Sequence, residues 1–88
     1  FDVSHPLYKK VCVFTGTFEK MTRRYAMQTV VDLGGQIAGN VTKKTDFLFV
    51  GDYGFSETKK FKRAKQLEAE NSGIRILSEN DFYDMIKK

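Results

Sequence analysis

Two short runs without a single polar side chain, Val11–Phe14 (VCVF) and Phe47–Val50 (FLFV), constrain this chain more than any other feature. Four consecutive apolar, β-prone residues leave no face for water, so each run reads as a strand covered on both sides. Segments of helical period lie between and after them. Thr22 is suited to cap a helix opened by Arg23, with Ala26, Val30 and Leu33 recurring at spacings of four and three and Tyr25, Met27 and Val31 widening the stripe. Gly34-Gly35 ends it, one glycine being free to take the left-handed C′ conformation. Gln36–Ala38 is a short strand, followed by a polar turn over Thr42–Asp46 in which Asp46 is a turn residue. Gly51–Glu57 reads as an exposed loop, with Thr58 as cap of a second helix running from Lys59 to about Glu70 on the repeat Phe61, Ala64, Leu67. Ile74–Leu77 is the last strand. Ser78–Asp81 has the form of a capping box, opening a helix whose inner face is Phe82, Met85 and Ile86.

The order β-α-β-β-α-β-α predicts a mostly parallel sheet with helices packed on its faces. At 88 residues there is room for one domain. Such a chain buries only about 60–65% of its unfolded surface. Eight Phe and four Tyr make the most of so thin a core. Residues 1–8, which hold the only proline and His5, read as a flanking linker, and residues 9–88 as the domain. No run of 18 apolar residues and no signal-peptide pattern occurs, so the expectation is a soluble intracellular protein with no membrane partner, cytoplasmic in a bacterium or nuclear in a eukaryote.

Several chemistries are disfavoured. The one cysteine, Cys12, sits inside an apolar run and reads as a small buried hydrophobe; together with a single His it gives zinc no ligand set. GxSxG, HExxH, CxxC and P-loop patterns are absent, so neither catalysis nor a cofactor is expected. The net charge of +4 is unevenly spread. Lys59, Lys60, Lys62, Arg63 and Lys65 follow one another with no acid among them, Lys20, Arg23 and Arg24 form a second group, and Lys43 and Lys44 a third. This pattern suits a face turned toward a polyanion and equally a solvated helix face.

A phosphate site is the chemistry the residues assemble most readily. In an open parallel sheet, ligands gather beyond the carboxyl ends of the strands, where helix N-termini also point. Thr15 and Gly16 stand there after the first strand, one offering a hydroxyl and the other a backbone N–H with no Cβ in front of it. Lys59 and Lys60 open the second helix. Taken alone, Thr15-Gly16 is also a plain turn and Lys60 also a solvated lysine.

The stretch VFTGTFEKMTRRYAMQTVVDLGGQIAGNVTKKTDFLFVG (13–51) resembles the first half of BRCT domains, particularly those of NAD-dependent DNA ligases and of the large clamp-loader subunit. The marks are TG after the first strand, a helix ending in LGG, and VTKKTDFLFVG leading into the third strand; KKFKRAKQL (59–67) and IRILSENDFYDMI (74–86) are similar to the family's second helix and to its last strand and helix. The resemblance implies a four-stranded parallel sheet ordered 2-1-3-4, with the first and third helices on one face and the second on the other. Many members carry a tryptophan in the last helix, where Phe82 stands here. Phosphate-binding members use a Ser or Thr and a Gly after the first strand and a Lys at the start of the second helix, which fall on Thr15, Gly16 and Lys60, with Lys59 as the neighbouring choice. Members that hold a 5′-phosphate DNA end add an Arg at the start of the first helix, the place of Arg23. The approach HPLYKK (5–10) is also similar to that of BRCT domains appended to DnaQ-like 3′–5′ exonucleases.

The resemblance therefore implies a non-catalytic module of a replication or repair protein, a ligase or such an exonuclease. Its expected partner is DNA, through a 5′-phosphate end, with Lys43, Lys44 and the Lys59–Lys65 helix adding backbone contacts. The alternatives are a phosphopeptide or protein partner, reached through the same pocket or through surface hydrophobics such as Tyr53 and Phe55, and a structural role in positioning a neighbouring domain.

Overall fold

A computed structural model describes residues 3–51 and 59–87. The elements are β1 (Val11–Thr15), α1 (Arg23–Asp32), β2 (Gln36–Ile37), β3 (Phe47–Val50), α2 (Lys59–Ala69), β4 (Arg75–Ser78) and α3 (Glu79–Ile86). All pairings are parallel, and the strand order is β2-β1-β3-β4. The loop expected at Gly51–Glu57, apart from Gly51, lies outside the described residues, as do Tyr53, Phe55 and the Thr58 cap.

The two apolar runs form the central pair, and their side chains alternate between two cores as a period of two requires. Cys12 and Phe14 of β1 and Phe47 and Phe49 of β3 face one side, with Ala26 and Val30 of α1 and Phe82 and Tyr83 of α3. Val13, Leu48 and Val50 face the other, against Ala64 and Leu67 of α2 and Ile74. This places α1 and α3 on one face and α2 on the other. The first core is aromatic. Phe82 occupies its centre, fully buried, with ring centroids 4.9 Å from Phe49, 5.4 Å from Phe14 and 5.7 Å from Phe18. Such edge-on contacts add to the burial of each ring.

The caps follow from local chemistry. The Thr22 hydroxyl accepts the Tyr25 N–H, starting α1. At its other end Gly34 takes φ +87°, which lets Gly35 N–H reach back to the Val30 carbonyl at 2.9 Å. The stripe of α1 is narrower than its composition suggests: Tyr25 and Val31 are exposed. In α3 the Ser78 hydroxyl accepts the Asp81 N–H while the Asp81 carboxylate accepts the Ser78 N–H, completing the capping box. The last strand is shifted one residue from the expected Ile74–Leu77, because Ser78 both pairs with Val50 and caps α3.

The N-terminal segment is not a loose linker. Leu7 is fully buried in the aromatic core, and the buried His5 imidazole accepts the Leu7 N–H through Nδ1 at 3.1 Å. Lys9 N–H then donates to Gly34 O and Gln36 N–H to Lys10 O, docking the segment on the turn between α1 and β2. No helix among the described residues is long and apolar enough to cross a membrane.

Candidate phosphate-binding groove

β1 exits the sheet at Thr15, and residues 15–23 run without interruption along an open hollow of about 970 Å³ whose remaining wall is Lys59 and Lys60. Five of the expected residues therefore meet: Thr15, Gly16, Arg23, Lys59 and Lys60. Both α1 and α2 begin at this rim, and neither has an acidic residue in its first turn, so both turn positive dipole ends toward it. Among the described residues, the lining holds four cationic residues, Lys20, Arg23, Lys59 and Lys60, and one acidic residue, Glu19. The Lys60 ammonium reaches across from α2 to the Phe14 carbonyl at 3.4 Å, which sets it beside the end of β1. Arg23 and Lys59 are exposed, whereas Thr15 forms the floor at 3% exposure.

Gly16 has a reason beyond leaving an amide open. Its φ is +77°, and a Cβ there would stand 2.6 Å from the Gly51 carbonyl oxygen. Gly51 in turn donates its N–H to Thr15 O at 2.9 Å, so the exits of β1 and β3 touch backbone to backbone. A side chain at either glycine would separate the two strands whose ends frame the groove.

Lys43 is not brought to this site. It lies in the exposed turn closed by Thr45 N–H on Thr42 O, which leads into Asp46 at the opposite end of the sheet. There the Asp46 carboxylate accepts the Val11 N–H at 2.8 Å, at the start of β1. Register explains the separation: a parallel strand returns the chain to its N-terminal edge, so cations just before β3 lie a strand's length from those just after β1.

Sequence reading missed what holds the groove's long wall. Glu79, 5% exposed at the start of α3, accepts the Glu19 N–H at 2.9 and 3.0 Å and the Lys20 N–H at 3.1 Å. The buried Tyr83 hydroxyl accepts the Lys20 N–H at 3.2 Å and donates to the Glu79 carboxylate. Burial opposes the charged form of Glu79, but the Tyr83 hydroxyl, the two backbone N–H groups and the Lys20 charge together outweigh it and hold the carboxyl below its ordinary value. Burial and then the bond to Glu79 push the Tyr83 phenol up to about 12. The available signal was that Ser78 and Asp81 already satisfy the capping box, which leaves Glu79 without a local task.

Cys12 is fully buried, its thiol pushed up to about 12 by burial and then by the Asp46 charge, as suits an inert core residue. Among the described residues no group of three His, Cys, Asp or Glu side chains could hold a metal ion.

Comparison with known proteins gives the chain a lineage. Residues 3–86 match the family model of the BRCA1 C Terminus (BRCT) domain. The chain is 45% identical over 85 residues to a DNA ligase of Syntrophus aciditrophicus, a match covering 97% of this chain and 12% of that protein. A DNA ligase of Citrifermentans bemidjiense is 43% identical over 78 residues, 89% of this chain and 10% of its own length. One from Porphyromonas gingivalis is 39% identical over 87 residues, 98% and 12% respectively. The chain thus spans about a tenth of the length of the ligases it matches.

Proposed function

The chain belongs to the BRCT family, and from that premise we propose that it is the DNA-end-binding module of a bacterial DNA ligase, holding a 5′-phosphate in the groove at the carboxyl end of β1. The observation that carries this reading is the convergence of Thr15, Gly16, Arg23, Lys59 and Lys60 on one hollow between two helix N-termini. A phosphate monoester there meets ammonium and guanidinium donors, whose bonds to an anion are about twice as strong as neutral ones. The terminal phosphate carries more charge than an internal diester, so such a site favours an end over the continuous backbone. Along α2, the exposed Lys59, Lys62, Arg63 and Lys65 supply further phosphate contacts that release counterions and read no sequence. The relatives to which the chain is similar are DNA ligases, which is consistent with a module that binds DNA.

The test is a fluorescence-anisotropy titration at low salt with a duplex bearing a 5′-phosphate and the same duplex dephosphorylated. The expected result is tighter binding to the phosphorylated end, a difference that Lys60→Ala and Arg23→Ala each reduce. Equal affinity for both duplexes would remove the reading and leave a protein-docking role.

A further inference from the structure

The groove's wall is a loop, residues 16–22, with little regular structure, and a loop is a poor template for an anion unless something fixes it. What fixes it comes from the far end of the chain. The Glu79 carboxylate takes three backbone hydrogen bonds from Glu19 and Lys20, and the Tyr83 hydroxyl takes a further one from Lys20 while bonding to Glu79. Neither side chain lines the groove; both lie behind its wall. The Lys20 ammonium rests over the Tyr83 ring, 5.5 Å from its centroid, and the Phe18 ring meets that ring edge-on at 6.2 Å.

A buried carboxylate behind an anion site is costly in two ways. It is desolvated, and it repels the ligand. The desolvation is offset by the loop amides together with the Tyr83 hydroxyl, so opening the loop would leave the carboxylate with the Tyr83 donor alone. The loop is thereby held closed onto α3 before any ligand arrives, and a preformed site loses less free energy to ordering when it binds.

We infer that Glu79 and Tyr83 are positioning residues of the phosphate site, fixing the β1–α1 loop so that Lys20 stands at the rim beside Arg23. The inference rests on the phosphate reading above and adds residues that touch no ligand. It differs from a purely structural role in one respect: loosening the clamp lowers affinity for the phosphate in protein that is still folded.

Glu79→Gln keeps the side chain's shape but turns an N–H₂ toward the loop's N–H donors. In the paired-duplex titration it should cut the preference for the 5′-phosphate, the ratio of the two affinities, about tenfold. Tyr83→Phe keeps the ring under Lys20, removes only the hydroxyl, and should cut the preference about threefold. In ¹⁵N–¹H spectra the Glu19 and Lys20 amide protons should move upfield in Glu79→Gln, and the Lys20 amide proton in Tyr83→Phe, reporting the lost bonds. If Glu79→Gln destabilises the fold, Tyr83→Phe carries the same comparison. Displaced Glu19 and Lys20 amides together with an undiminished phosphate preference would overturn the inference while leaving the phosphate reading intact. Absence of any preference in the unaltered chain would overturn both.

Discussion

The two ends of the sheet use the same device for opposite purposes. At the amino end, the Asp46 carboxylate accepts the Val11 N–H and its backbone N–H bonds to the Val11 carbonyl, tying the starts of β1 and β3 together. At the carboxyl end, the Glu79 carboxylate accepts N–H groups too, but from a loop whose other side faces the hollow lined by Lys20, Arg23, Lys59 and Lys60. One carboxylate ends a strand. The other builds a wall. The difference lies in what surrounds each: Asp46 bonds to its strand's immediate neighbour, whereas Glu79 reaches a segment sixty residues away and brings Tyr83 with it. A backbone N–H needs an acceptor wherever it is buried; whether that acceptor serves a site depends on the surface left on the far side.

Substitutions at the two ends should separate these roles. The largest effect is expected at Gly16, where alanine meets both the positive φ and the Gly51 carbonyl; Gly16→Ala should cost about 2–4 kcal/mol in denaturant titration and weaken end binding in whatever remains folded. Next, Glu79→Gln should lower stability by about 2 kcal/mol near neutral pH. The sign of its pH dependence follows from the carboxyl lying below its ordinary value of 4.5 in the folded protein. The stability it contributes is full above pH 4.5 and lost as pH falls through the folded value, so melting curves of the two proteins should converge in acid. A gap that persists unchanged below that point would show that the charge is not what matters.

Asp46→Ala should cost about 1 kcal/mol, one partly buried hydrogen bond, with the 5′-phosphate preference intact. Loss of that preference would break the distinction between the ends. The smallest effect is expected of Lys43→Ala: less than about 0.5 kcal/mol in stability and no change in phosphate preference, any loss being equal for both duplexes and shallower in salt by about one phosphate contact.

Much of the architecture is legible in local pattern. The two unbroken apolar runs became the central strands, and Thr22, Gly34 and Ser78 mark helix boundaries with side chains whose chemistry requires them there. Strand order came from family resemblance alone, since no periodicity says which strand lies beside which. The meeting of residues at the candidate site was legible where they stand within a few positions of a strand end or helix start, as Thr15, Gly16, Arg23 and Lys60 do. It was illegible where it depends on distance in sequence. Glu79 looks like any first-turn acid until the loop it holds is placed beside it. Leu7 and His5 carry no period and read as linker, yet the core closes over them. Lys43 is a further case: its distance from the groove, at the opposite end of the sheet, follows from the strand direction and not from any local pattern.

β4 passes into α3 without a connecting residue: Ser78 is the last residue of the strand, Glu79 the first of the helix, and the capping box locks the joint. There is no hinge. Whatever the Glu79 side chain holds is therefore referenced to the sheet itself, so the Glu19 and Lys20 amides, although they belong to no ladder, inherit the sheet's timescale. In deuterium exchange they should open with the core strands rather than with surface turns, giving the wall of the groove the slow exchange of an interior element.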